Sequence, residues 1–291
     1  VIDPAVLTRI ADLELVARGV VEGAVAGLHR SPFHGYSAEF SQYRPYRPGD
    51  DLKYVDWKLF ARTDRIYTKQ FRETTNMAAQ IVLDRSASMG FREKTDAPSK
   101  VDYARALAAA LTYLIVWQGD AIGLATCGDE RGEYLPPRAG QAQLQAVLAA
   151  LARAIPQGSH PIAPGLGRAV ERLESRGMVL VFTDLYEPDE ALARELRRAV
   201  RVGHDVVLFH LVTRSEIEFP YRGDLEFVDL ETGARVLAAA GRSAADYRRC
   251  LADHLERWRD RATSDGVDYL RVMTDSPVDA ALRAHLLRRA A

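Results

Sequence analysis

The chain has 291 residues, 47% of them hydrophobic and 27% charged, a composition that suits a soluble globular protein and excludes a disordered or fibrous one. A formal net charge of -1 removes any general electrostatic pull toward nucleic acid or anionic membranes, because both select a basic surface. Cys127 and Cys250 are the two cysteines; they belong to no C-x-x-C pair, so zinc and redox chemistry are not indicated and both read as buried free thiols.

Residues Val6, Leu7, Ile10, Leu13, Val16, Val20 and Val25 recur at helical spacing and predict an amphipathic helix over 4–28. Asp3, Asp12, Glu14 and Glu22 in the same stretch exclude a secretory h-region. No apolar run reaches the roughly 18 residues of a membrane span, and a cytoplasmic location is expected. From 30 to 72 the chain is rich in aromatic residues, Pro, Gly and charge, with short alternating pieces such as 66–71 that read as strands. Beyond Met77, apolar runs at 81–83, 121–125, 178–182, 206–211 and 269–272 alternate with helical patterns. Those helices are expected at 100–117, 141–154, 165–175, 190–202, 243–262 and from Ser276 onward. Ser99 and Asp102 form a capping box for the first of them, and Thr232 and Gly233 mark a hairpin within 226–237. Short apolar strands alternating with helices predict an α/β fold, a mainly parallel sheet with helices on both faces. The expected division is 1–76, an N-terminal helix with a small β appendage, and 77–291, the α/β domain.

Ligands of such sheets bind beyond the carboxyl ends of the strands. Ile81-Val82-Leu83 leads into Asp84, Ser86 and Ser88, and Val179-Leu180-Val181-Phe182 into Thr183 and Asp184. If the two strands are central and parallel, these carboxylates and hydroxyls meet at one edge. An all-oxygen set of this kind suits Mg²⁺ or Mn²⁺ and not zinc. Two neutral serine ligands leave a cation short of negative charge, so a partner's carboxylate could complete its coordination. The competing structural reading is that Asp84 and the serines cap a turn. Because the next helix has its own cap at Ser99, the serines are not needed there.

The Asp84-Arg85-Ser86-Ala87-Ser88-Met89 segment, followed by a long helix and later by Val-Phe-Thr-Asp at a strand end, resembles the metal-ion-dependent adhesion site of von Willebrand factor A domains. The preceding segment resembles the signature of the bacterial family catalogued as domain of unknown function 58. Its matching residues are His29-Arg30-Ser31, Gly35, Glu39-Phe40, Arg44 through Asp51, Asp56-Trp57-Lys58 and Ala61-Arg62. The resemblance implies a von Willebrand factor A-like fold. It also implies a protein-interaction role beside a MoxR-type AAA+ ATPase or its client, in protein assembly or maturation. The implied metal residues are Asp84, Ser86, Ser88 and Asp184, with Ser159, His160 and Thr183 as further candidates. One departure stands out: such sites take a hydroxyl from a threonine in a Gly-rich loop, and in this register His160 holds that position. A weakened or degenerate site, leaving a structural scaffold, is therefore a second expectation.

Other signals carry less. Between Tyr43 and Arg65, six basic residues interleave with Tyr46, Tyr54, Trp57 and Phe60, but Asp50, Asp51, Asp56 and Asp64 among them oppose a phosphate track and favour internal ion pairs. Gly165-Leu166-Gly167 is half a dinucleotide fingerprint, in the wrong context. No Walker lysine motif is present, so an ATPase would be a partner. A hydrolase using Ser86 or Ser88 with His160 lacks a G-x-S-x-G elbow; no enzymatic activity and no organic cofactor are expected.

Overall fold

Largely apolar strands pair into the central sheet of the larger unit, because strands with few polar side chains on either face can be covered by helices on both. The computed structural model describes residues 4–25, 38–46, 55–73, 77–94, 97–128, 132–186 and 189–290. They fall into two compact units, one of residues 33–76 and one containing the rest.

The larger unit holds a six-stranded sheet built from β3 (Ala78–Asp84), β4 (Ala121–Cys127), β5 (Tyr134–Arg138), β6 (Gly177–Thr183), β7 (Asp205–Val212) and β10 (Asp268–Met273). Its order is β10-β7-β6-β3-β4-β5. Numbered from β3 along the chain, that order is 3-2-1-4-5-6, the doubly wound arrangement that reverses direction beside its first strand. All neighbours are parallel except β5, which pairs antiparallel at the edge. That strand carries Pro136 and Pro137, which a strand interior to a sheet would not tolerate.

Alternation sorts the core. Val82, Val181 and Leu208 join a cluster with α5 (Ile162–Glu171), α6 (Asp189–Arg201) and α8 (Ala240–Ser264), including Leu166, Leu196 and Trp258. Phe182 and Phe209 stack on the opposite face at 4.6 Å, and Phe209 meets His285 of α9 (Val278–Ala290). Helix α3 (Lys100–Trp117) also packs on that side, and α4 (Gln141–Arg153) packs against it. The Ser99 and Asp102 capping box is formed as expected. Gly165 is a packing residue: a Cβ there would lie 2.2 Å from the Cys127 sulfur.

Several elements differ from expectation. Helix α1 (Pro4–Val25) packs on α3, α4 and α9 and so goes with the α/β unit, not with the appendage in a 1–76 domain. Its buried stripe is Ala17, Val21 and Ala24, one residue round from the expected Val16 and Val20, and Val16 is exposed. Helix α5 starts at Ile162 and not Gly165, because Pro164 sits in its first turn, where a missing N–H costs no bond. Cys127 is buried, but Cys250 is exposed on α8, so the reading of two buried thiols holds for one. The expected hairpin is β8 (Asp224–Val228) and β9 (Arg235–Ala239), preceded by a short α7 (Arg214–Glu218).

In the unit of residues 33–76, β1 (Ala38–Pro45) pairs antiparallel with β2 (Tyr67–Glu73), with a bulge between Phe40 and Gln42. Asp56 caps α2 (Trp57–Thr63) by accepting from the Leu59 N–H, and it also accepts from the Tyr43 hydroxyl at 2.8 Å. Residues 29–31, Gly35 and 47–51 of the signature, with Tyr54, lie outside the described residues.

His285 is fully buried, and burial followed by the nearby Arg289 charge lowers its pKa to about 3. A histidine with a depressed folded pKa stabilises the fold above its unfolded value and loses that contribution as pH falls from about 6.5 toward 3, by at most about 1.4 kcal/mol per pH unit. Urea unfolding at pH 7, 5 and 4 should therefore show a shallower acid loss for His285→Leu than for the wild type. Equal slopes would contradict this assignment.

Candidate functional site

Strands β3 and β6 are adjacent and parallel, with Leu83 paired with Phe182, so Asp84 and Thr183-Asp184 emerge together at the carboxyl edge. This is the point where the chain, having added β4 and β5 on one side of β3, returns to build the other side. Such switch points open a crevice in α/β sheets. The loop after β3 is tied down by its backbone: Arg85 N–H donates to the Cys127 carbonyl, Ala87 N–H to that of Gly158, and Gln157 N–H to that of Arg85. Gly128, at φ 122°, permits the approach, since a Cβ there would fall 2.7 Å from the Arg85 carbonyl carbon and 2.8 Å from the Ser86 nitrogen.

Asp84 is buried. One carboxylate oxygen accepts from the Ser86 N–H at 2.8 Å and the other from the Thr183 hydroxyl at 2.7 Å. Burial, and then the neighbouring Asp184 charge, push its pKa up to about 7 against those two hydrogen bonds. The hydroxyls of Ser86 and Ser88 lie 3.1 Å apart, Ser88 standing in a 3-10 turn over Ala87–Gly90. Asp84, Ser86, Ser159, His160 and Asp184 line one cavity of about 110 Å³, together with Tyr186 and Glu231. Ser88 lines a neighbouring cavity of about 340 Å³ with Lys100, Tyr186 and Glu231. Thr183 stands behind Asp84 as its donor. Among the described residues the serine hydroxyls bond each other and neither is hydrogen-bonded to an imidazole.

Lys100 was not among the sequence candidates, yet it dominates the electrostatics. Its ammonium, 1% exposed, donates to Asp184 at 3.0 Å and to Glu216 at 2.6 Å. It lies 4.6 Å from the Tyr186 ring centroid and 5.7 Å from that of Phe91. Burial opposes the charge on Lys100, but Asp184 and Glu216 together outweigh it and leave its pKa raised. Burial likewise opposes ionisation of Glu216, and Lys100 with the Thr213 N–H and the Tyr186 hydroxyl reverses it, holding that carboxyl below its usual range. Leu185, at φ 60° with its side chain fully buried, turns the chain between Asp184 and Tyr186; such a conformation costs about 1 kcal/mol or more. Behind Asp184, His210 bridges its carbonyl (3.1 Å) and the Tyr269 hydroxyl (2.7 Å), and burial lowers its pKa to about 3.

Two sequence signals pointed toward this triad. The apolar run of β7 also ends in polar residues, Thr213 to Glu216, but these read equally well as the capping box of α7, which they also form. Lys100 occupies the first turn of α3, where the helix dipole disfavours a cation. A lysine in such a position needs nearby carboxylates.

The residues fit a hard divalent cation. Asp84 and the hydroxyls of Ser86 and Ser88 stand together as hard oxygen groups, and Asp184 beside them shares the buried Lys100 ammonium with Glu216. His160 does line the cavity, and imidazole suits Mg²⁺ poorly, but the hydroxyl-bearing Ser159 lines it too. Among the described residues no group of three or more His, Cys, Asp and Glu gathers to hold a metal, so a cation here depends on the hydroxyls.

Residues 42–257 match the family model described as "Protein of unknown function DUF58". An uncharacterized protein of Mycobacterium tuberculosis (strain ATCC 25618 / H37Rv) is 28% identical over 257 residues, covering 87% of this chain and 80% of the relative. Among solved structures, an aerotolerance-related membrane protein from Bacteroides fragilis NCTC 9343 is similar with a TM-score of 0.50 at 16% identity, over 74% of this chain and 98% of that one. The SpRpn10 VWA domain is similar with a TM-score of 0.42 at 14% identity, over 71% of this chain and 93% of that one. The fold is α/β, a mainly parallel sheet with helices on both faces, and it is similar to that of the Bacteroides fragilis protein. No described helix is long and apolar enough to cross a membrane.

Breaking a buried ion pair from one side leaves an uncompensated charge, at a cost of about 3–5 kcal/mol. Lys100→Met should lose stability of that order in chemical denaturation, and the triple variant Lys100→Met, Asp184→Asn, Glu216→Gln should recover most of it. A triple variant no more stable than the single one would show that packing, not charge balance, is what Lys100 supplies.

Proposed function

The chain belongs to the DUF58 family, and we propose that it is a non-enzymatic protein-protein interaction module whose Asp84, Ser86, Ser88 and Asp184 hold Mg²⁺ or Mn²⁺ and present it to a partner. The observation that carries this reading is the convergence of Asp84 with the hydroxyls of Ser86 and Ser88 on a closed-in loop at the sheet's switch point. A bound divalent ion would offer a coordination position to a carboxylate oxygen of the partner, since the serine ligands are neutral. The cavity of about 110 Å³ is small for a substrate, but it has room for an ion and the tip of one side chain. Supporting the non-enzymatic reading, among the described residues the hydroxyls of Ser86 and Ser88 bond each other and no imidazole. We place the protein as an accessory or adaptor to a MoxR-type AAA+ ATPase or its client in protein assembly or maturation, which rests on family resemblance; a cytoplasmic location is the setting this reading assumes. Ser159, His160 and Thr183 support the metal residues, Thr183 by orienting Asp84.

A second reading is favoured by one observation. Lys100 already neutralises Asp184, so the same edge could bind its partner without an ion, as a scaffold with a degenerate site. Thermal unfolding separates the two. An ion that binds only the folded state stabilises it by about 2.7 kcal/mol at a hundred times its Kd. Mn²⁺ or Mg²⁺ should raise the melting temperature of the wild type but not of Asp84→Ala or Ser86→Ala. No shift in any of the three would favour the ion-free scaffold. For the partner, a purified MoxR-type ATPase from the same organism should bind the wild type more tightly than Asp84→Ala, and equal affinities would remove the loop from that contact.

A further inference from the structure

A groove of about 590 Å³ shares no lining residue with the cavities beside Asp84 and Ser88. Helix α8 forms one wall: Arg248, Leu251, Leu255 and Arg259 recur at the three- and four-residue spacing that puts side chains on one face. The opposite wall is Tyr269 and Arg271 of β10, an edge strand of the sheet, with Arg288 of α9 closing one side. Leu251, Leu255 and Tyr269 are each less than a tenth exposed and make an apolar floor.

The charge around that floor is one-sided. Four arginines line the groove against a single carboxylate, Glu256. Arg259 is partnered by Asp260 and Glu256. The other three are not neutralised by an acid among the described residues: Arg288 donates to the Tyr269 carbonyl at 2.7 Å, Arg248 reaches the Glu218 carbonyl at 3.4 Å, and Arg271 has no ion pair. In a chain of net charge -1, three guanidinium groups with no ion pair among the described residues around one apolar floor are a local feature and not a reflection of composition. Guanidinium stays charged at any working pH and matches carboxylates through paired N–H donors.

We propose that this groove docks an acidic segment of a protein partner, with apolar side chains against Leu251 and Leu255 and carboxylates on Arg248, Arg271 and Arg288. A nucleic acid fits less well. Its bases need an aromatic face to stack on, and Tyr269 is buried with its hydroxyl bonded to His210. The groove stands independently of any ion at Asp84.

The test uses the full chain and fluorescence anisotropy with a labelled synthetic peptide of alternating Glu and Leu pairs, beside its Gln-for-Glu counterpart. The acidic peptide should bind at least tenfold more tightly than the neutral one and weaken as salt rises. Arg248→Glu with Arg271→Glu should lose at least tenfold in affinity, as should the milder Arg248→Gln with Arg271→Gln pair. Both positions are exposed, so melting temperatures should stay near the wild type. Asp84→Ala should bind the peptide as the wild type does, which separates this groove from the metal site. Equal binding of the two peptides, unaltered binding by both double variants, or tighter binding of an oligothymidine strand than of the acidic peptide would overturn the proposal.

Discussion

Lys100 sits between Asp184 and Glu216 with aromatic rings near its ammonium, and the arrangement at the carboxyl edge of the sheet depends on that one charge. It comes from the first turn of α3, while its partners follow β6 and β7, so three segments distant in sequence are joined at one buried point. Taking three ionic groups out of water is costly unless each is paired and hydrogen-bonded. Here the Thr213 N–H and hydroxyl and the Tyr186 hydroxyl complete the bonding of Glu216. What results is a fixed position for Asp184 next to Asp84, and with it a defined wall for the cavity that Ser86 also lines.

The same charge defines what the site lacks. Among the described residues Asp84 has a backbone N–H and a threonine hydroxyl as donors and no ion pair, and burial together with the neighbouring Asp184 charge destabilises its carboxylate and raises its pKa. A proton or a divalent ion could each relieve that destabilisation. Of the two, the ion is the one that gives the neighbouring serine hydroxyls a purpose beyond their bond to each other. Removing negative charge from such a pocket would also make it receptive to a partner's carboxylate, which links the electrostatics of a few buried groups to recognition.

Much of this could be read from the residues. Fully apolar runs marked β3, β6 and β7 because strands covered on both faces need no polar alternation, and the strand-end rule then selected Asp84, Ser86, Ser88 and Asp184, three of which line one cavity with Ser159 and His160. Edges were harder. Strand β5 contains two prolines and only partial burial, so its sequence reads as a loop, and its pairing is a tertiary fact. Helix α1 chose its face through close packing of Ala17 and Ala24, small residues that carry little hydrophobic weight in a periodicity argument. Lys100 carries little signal in the sequence because a lysine is ordinarily solvated, and only the arrival of Asp184 and Glu216 from other segments makes its burial favourable.

On the function proposed above, Asp84, Ser86, Ser88 and Asp184 hold a divalent ion while Lys100 remains charged beside them. Crystals of the full chain soaked in Mn²⁺ and measured at the manganese absorption edge test it most directly. An anomalous peak is expected at roughly 2.1 Å from the Ser86 and Ser88 hydroxyl oxygens, as for a small hard cation, with Lys100 still bonded to Asp184 and Glu216. Full Mn²⁺ soaks with no peak at that loop, or a peak that displaces the Lys100 ammonium from Asp184, would contradict it.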